Sequence, residues 1–268
     1  MADKIKVLDE LKLPPEILTE IGDEYEKGQQ EIARIVEENV DQTLTVKKKQ
    51  QIMAAITVVV AGLSAKTDNF LTTAIPMSYK AGTSSVDKIL KIKEPLGKDH
   101  LEIVNSLIDD AGTRLKLGLN TAQRDVETIL SNVVQRQVTD RLSKVKLESV
   151  DQIAKDVKKI IEKDGITSLV ARDGKRLNLD AYSRMVARTE ISNAANQGVL
   201  NRAAQFGVDI VQVSQHAGVR AGDDACLDNQ GKIFSISGNS SEYPKLEASN
   251  TPPYHPNCLH VLIARPYL

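Results

Sequence analysis

The stretch Val199-Leu-Asn-Arg-Ala-Ala-Gln-Phe206-Gly207-Val208-Asp-Ile-Val-Gln-Val213 changes grammar at its glycine. Residues 180–206 read as a helix opened by Asp180, and Gly207 supplies the left-handed turn that commonly stops one. Residues 208–213 then alternate and are β-branched, which is a strand pattern. Residues 233–236 and 260–264 read as second and third strands. The tail of the chain therefore mixes helix and sheet.

Upstream, the apolar spacing is helical. Pro14-Pro15 suits a helix start, where the missing N–H is not needed. Ile17, Ile21, Tyr25, Ile32, Ile35 and Val36 follow at mostly helical intervals. A second helix carries the apolar run 52–63, whose 12 residues fall short of the roughly 20 that span a membrane. Thr67 or Asp68 caps a third helix, which Pro76 kinks or ends. Glu94-Pro95-Leu96-Gly97 breaks the pattern. Leu101, Val104, Ile108, Ala111, Leu115, Ala122, Val126, Ile129 and Val133 then step by threes and fours, and Val138, Leu142 and Val145 continue them. Unbroken over 99–145, this helix would be about 70 Å long. Gly112 and Gly118, each about 1 kcal/mol worse than alanine, leave a bend open. Two readings stand: two helices of one bundle, or a long projecting rod or hairpin that contacts another protein. Residues 149–161 form a short amphipathic helix capped by Ser149 with Gln152. Arg172-Asp173-Gly174-Lys175 reads as a tight turn between two short extended pieces.

Composition sets the wider bounds. The 268 residues suit one large or two modest domains. Trp is missing and aromatics make up 3%, so the core rests on Leu, Ile, Val and Ala, as helix-on-helix packing prefers. Net charge is -1, and residues 1–179 hold 28 charges of each sign. No half is a basic platform, which disfavours a dedicated duplex-DNA binder. Lys47-Lys48-Lys49 reads as a solvated helix face. The Met-Ala-Asp-Lys-Ile-Lys start has no signal-peptide form. The two cysteines are thus expected to be thiols or metal ligands, not a disulfide. Three aromatics precede residue 180 and six follow it, and five of the nine prolines lie between Pro244 and Pro266. We read an α+β chain: an elongated, mainly helical N-terminal region, 1–148 (a bundle or long helical hairpin), before a small mixed α/β C-terminal domain, 149–268.

Side chains able to carry chemistry cluster in that second region. Cys226, His255, Cys258 and His260 are the zinc candidates, because two thiolates and two imidazoles suit a tetrahedral ion. Cys258 and His260 are two apart in a strand pattern and so share a face. His255 folds back across a Pro-Asn turn, and His216 substitutes for either histidine. The competing reading is a hydrogen-bonded turn with Cys226 packed as a small hydrophobe. Arg188, Glu190, His216 and Arg220, with Asp223 and Asp224 nearby, read as a buried polar network that orders loops. As a catalytic cleft they lack a partner motif, with no Gly-x-Ser-x-Gly, no His-Glu-x-x-His and no phosphate-binding loop. We therefore name no catalytic residue and expect no enzyme.

The linked pattern resembles a known family. Tyr182…Ala187-Arg188-Thr189-Glu190…Asn193…Gln197-Gly198, then Ser214-x-His216…Arg220…Cys226…Gln230-Gly231-Lys232, then Pro253…Asn257-Cys258-Leu259-His260, is similar to phage minor capsid proteins. It looks most like the C-terminal domain of minor head proteins of the Mu F type, over about residues 150–265. Ile75-Pro76-x-x-Tyr79-x-x-Gly82 resembles the minor capsid branch as well. Two positions depart from the pattern. Asn229 stands where many relatives have a second cysteine, which shifts any metal site toward histidines. Leu259 stands where many have arginine.

The resemblance implies a structural head-morphogenesis protein of a tailed bacteriophage. Its partners would be the portal protein and the major capsid protein, and packaged DNA as a further contact, with no membrane during assembly. It would reside in the virion, inside the head near the portal, after assembly in the host cytoplasm. The alternatives are a metal-dependent hydrolase using Glu190, His216 and the Cys/His cluster, or a packaged-DNA-binding module using residues 47–49.

Overall fold

Three long helices lead the chain: α1 (Pro15–Asn39), α2 (Val46–Leu90) and α3 (Lys98–Ser143). A computed structural model describes residues 15–40, 44–143, 169–170, 176–216, 224–256 and 258–268. After α3 come β1 (Leu169–Val170) and β2 (Arg176–Leu177), an antiparallel pair flanking the expected 172–175 turn. Then follow α4 (Leu179–Gln205), β3 (Ile210–Val213), the short α5 (Asp224–Asn229), β4 (Ile233–Ser235) and β5 (Leu262–Ala264). The architecture is α+β. The expected 149–161 helix and the turn residues 171–175 lie outside the described residues. No helix among the described residues is long and apolar enough to cross a membrane.

The packing divides the chain into two compact units, and each draws on both sides of residue 148. One gathers Thr19–Asn69 with Gly112–Arg184, and the other Phe70–Ala111 with Met185–Leu268.

The first unit is helical. Its core takes Ile21, Tyr25, Ile32 and Val36 from α1, Ile52, Ile56 and Leu63 from α2, and Leu115, Leu119, Val126 and Leu130 from α3. Thr67 does not cap a third helix here, because its segment is the middle of α2. Its buried hydroxyl donates to the Leu63 carbonyl one turn back, at 2.8 Å. The Tyr25 hydroxyl meets the Thr67 oxygen, also at 2.8 Å, and burial pushes the Tyr25 phenol up to about 12. Lys49 spends its ammonium on Ser131 and Glu127 of α3, at 2.7 and 3.3 Å. That leaves the 47–49 run a less open basic face than its sequence suggests. Gly112 and Gly118 sit inside an unbroken α3.

In the second unit α2 continues through Pro76 to Leu90, so the two helices expected there are one. An internal proline costs about 3 kcal/mol. Burial of Leu71, Ala74, Ile75, Tyr79 and Val86 around it holds the helix together. The stop comes at Lys91, whose φ is 58. Ile92 N–H then reaches back to the Asp87 carbonyl at 2.9 Å, the closing bond of a Schellman cap.

The second unit's sheet is antiparallel with order β4-β3-β5. Val211 faces Phe234 on one side and Ala264 on the other. Val211 and Val213 are buried while Ile210 and Gln212 are half-buried, as period-two alternation requires. The covered face packs Val211, Val213, Phe234, Leu262 and Ala264 against Val199 and Ala203 of α4 and Val86 of α2.

Gly207, with φ 68, ends α4 as its sequence suggests. Val208 N–H bonds Ala203 O at 2.9 Å and Gly207 N–H bonds Ala204 O at 3.1 Å, the two bonds of a Schellman cap. Gly207→Ala is expected to lower unfolding free energy by about 1 kcal/mol or more in a urea titration, because a Cβ disfavours this backbone region.

Candidate functional site

The candidate site is built where α5 and the run entering β5 approach the end of β3. Cys226 lies in α5 and is buried. Its helix ends at Asn229, and in the turn that follows Gly231 N–H bonds the Val213 carbonyl at 3.0 Å, which ties this turn to β3. Cys258 and His260 are buried just before β5. The strand itself begins only at Leu262, later than the expected 260, so the two residues sit in the run that leads into it. Two-residue spacing still brings them together, with Cys258 Sγ 3.5 Å from His260 Nδ1.

Cys226 Sγ lies 3.8 Å from Cys258 Sγ and 3.0 Å from His255 Nε2. The structure thus gathers all four residues singled out from sequence, although His255 reaches only the Cys226 side. His255 Nδ1 is 2.8 Å from the Pro256 carbonyl, to which it donates. That places the proton on Nδ1 and turns the Nε2 lone pair toward the sulfur.

His216 belongs to a different arrangement. Ser214 N–H bonds Val261 O at 2.9 Å, and Val261 N–H bonds Ser214 Oγ at 3.0 Å. The same hydroxyl meets His216 Nε2 at 3.0 Å. His216 also bonds the Leu259 backbone, while burial lowers its pKa. Its ring stands edge-on to His260, with centroids 4.8 Å apart. The Ser214-x-His216 motif therefore laces β3 to the run before β5.

Burial, with His216 and His255 nearby, lowers His260 to about 4. Its imidazole is neutral at ordinary pH, the form that ligates metals. Its Nε2 is buried with no hydrogen-bond partner among the described residues. Tyr254 tilts against the same ring, and burial beside the two cysteines raises its phenol pKa.

The four residues read from sequence as one polar network are not equivalent. Glu190 is buried in α4, on the stripe with Ser183, Ala187 and Ala194. Arg188 is exposed. Positions two apart on a helix do not share a face. Arg220 and Asp223 lie outside the described residues. Arg188→Ala is accordingly expected to change stability by about 1 kcal/mol or less, as exposed charges do.

Sequence reasoning missed the buried polar groups Asn196 and Arg202, among others. Asn196 Oδ1 accepts from Leu262 N–H at 2.8 Å and its Nδ2 donates to Pro252 O at 3.1 Å, clamping β5 and the 252 loop to α4. Arg202 is fully buried. Its guanidinium donates to Asp87 Oδ1 at 2.6 Å, to the Glu94 carbonyl at 2.6 Å and to Gln205 Oε1 at 2.8 Å. Gln205 Oε1 also accepts from His100 Nε2 at 2.9 Å, and His100 Nδ1 meets the Tyr79 hydroxyl at 2.7 Å. The one available signal was spacing. Arg202 falls three residues after Val199 and seven after Ala195, on the apolar side of its helix.

Comparison with known proteins bears on both halves of the chain. A family model described as phage minor capsid protein 2 matches residues 25–264. No curated protein and no solved structure matches the chain.

Proposed function

Because the chain belongs to the phage minor capsid protein 2 family, a family of phage structural proteins, we propose that it is a low-copy component of the head. It joins the portal and the inner face of the shell during head assembly, and it acts as a structural protein and not as an enzyme. The observation that carries this reading is the extent of the family match, which takes in the long helices as well as the Cys/His-bearing end. The polar groups support it in kind. Ser214, His216, Asn196 and Arg202 are spent on backbone and side-chain partners that hold elements together. Net charge is -1 and the two signs balance in residues 1–179, so no half of the sequence is a basic platform for packaged DNA, which favours protein partners.

Quantitative mass spectrometry of purified virions and empty heads tests the proposal. The expected result is a copy number far below that of the major shell protein, with cross-links to the portal ring. Complete loss from both particles, with the protein free in infected cells, overturns it.

A further inference from the structure

A tetrahedral ion with sulfurs at about 2.3 Å and nitrogens at about 2.0 Å needs edges of about 3.8 Å between sulfurs and about 3.5 Å between sulfur and nitrogen. Cys226 and Cys258 stand 3.8 Å apart at sulfur, and Cys258 Sγ stands 3.5 Å from His260 Nδ1. The three ligand atoms lie within 4.8 Å of one another, and all three residues are buried. A hydrogen-bonded turn explains pairs of such contacts. It does not explain why three soft or borderline ligands converge on one buried point. Wherever the proton sits on an unligated His260, one buried nitrogen lacks a matching partner, a cost of about 1–3 kcal/mol. A metal bond at Nδ1 fixes the proton on Nε2 and leaves that cost in place, so it is the convergence of the three ligand atoms that points to an ion.

We propose that Cys226, Cys258 and His260 Nδ1 bind a structural Zn2+, and that His255 Nε2 completes the tetrahedron. His255 has the disposition of a zinc ligand: its Nδ1–H is fixed on a backbone carbonyl and its Nε2 lone pair points inward. At 3.0 Å from Cys226 Sγ it is closer than the tetrahedral edge, so its ring moves out by about 0.5 Å to take the fourth position. His216 is not a ligand, because Ser214 and the Leu259 backbone hold its ring. Four protein ligands leave no open position, which marks a structural and not a catalytic zinc. The ion would pin α5 to the run before β5, 32 residues away. This inference does not rest on the assignment to a phage head.

The test uses the full chain, purified without chelator under reducing conditions, with elemental analysis and titration of the stripped protein with Zn2+ and with Co2+. About one zinc per chain is expected. Co2+ should give the visible bands of a tetrahedral site together with thiolate-to-cobalt charge transfer. Cys258→Ser should lose the metal, but this core variant also risks misfolding. His255→Ala, at a half-buried position, therefore carries the decision: it should weaken Zn2+ binding by about tenfold or more, while His216→Ala stays within about twofold of the parent. Less than about a tenth of an equivalent with no cobalt charge transfer overturns the proposal. Recovery of a Cys226–Cys258 disulfide without metal overturns it too. Wild-type affinity in His255→Ala overturns the choice of the fourth ligand.

Discussion

Arg202→Ala is expected to destabilise the protein by about 3–5 kcal/mol, the usual result of removing one partner from a buried ion pair. The guanidinium is fully buried and serves three acceptors at once: Asp87 Oδ1, the Glu94 carbonyl and Gln205 Oε1. It also lies over the Phe206 ring, 4.7 Å from the centroid. Truncation strands the first two acceptors and opens a cavity beside the ring, and these costs add. Arg202→Lys keeps the charge but not the planar fork, so it should recover only part of the loss. Asp87→Asn should cost less than Arg202→Ala, because Asp87 is 25% exposed and water takes up part of the lost pairing. Chemical denaturation of the three variants and of the Arg202→Ala/Asp87→Asn double variant gives the coupling energy directly. A loss below about 1 kcal/mol for Arg202→Ala would mean the site relaxes to admit water, and the assignment of a central clamp would fail.

That clamp shows where reading by sequence alone stops. Periodicity located the helices, because the apolar stripes of residues 17–36 and 101–133 are long enough to define a face. Gly207 and the β-branched run after it located β3 for the same kind of local reason. Thr67 misled because a buried threonine that bonds back to the Leu63 carbonyl has the same letter as one that caps a new helix. Pro76 misled because tertiary burial around it outweighs its local cost. The Cys/His group was legible as a set of residue types, since both cysteines and three of the four histidines lie in one region. Which histidine faces which sulfur was not legible, because it depends on Ser214 holding His216 and on the Pro256 carbonyl holding His255. Arg202 stayed hidden because its acceptors come from Asp87 and Glu94, more than a hundred residues earlier in the chain.

Gly82→Ala and Gly62→Ala should change stability in opposite directions although both lie in α2. In an exposed helix interior, alanine in place of glycine gains about 1 kcal/mol through backbone entropy alone. Gly62 is exposed, and a Cβ built there meets nothing within 4 Å, so Gly62→Ala should stabilise by up to that amount. At Gly82 a Cβ would sit 2.0 Å from the Ala195 carbonyl oxygen of α4. Across the same contact a Cβ at Gly198 would sit 2.3 Å from the Tyr79 carbonyl oxygen, and the Ser78 hydroxyl donates to Ile191 O at 2.6 Å. The two helices touch backbone to backbone along small residues, and the clashing atoms are carbonyls that cannot rotate away. A methyl at Gly82 must therefore push α4 outward, together with Arg202 and the sheet packed on Val199. Overpacking of this kind costs about 1–3 kcal/mol, and more where backbone must move, which exceeds the propensity gain. Urea denaturation of the two variants beside the parent should show midpoints shifted to opposite sides. Equal stabilisation by both would mean that α2 and α4 are not in backbone contact at Gly82.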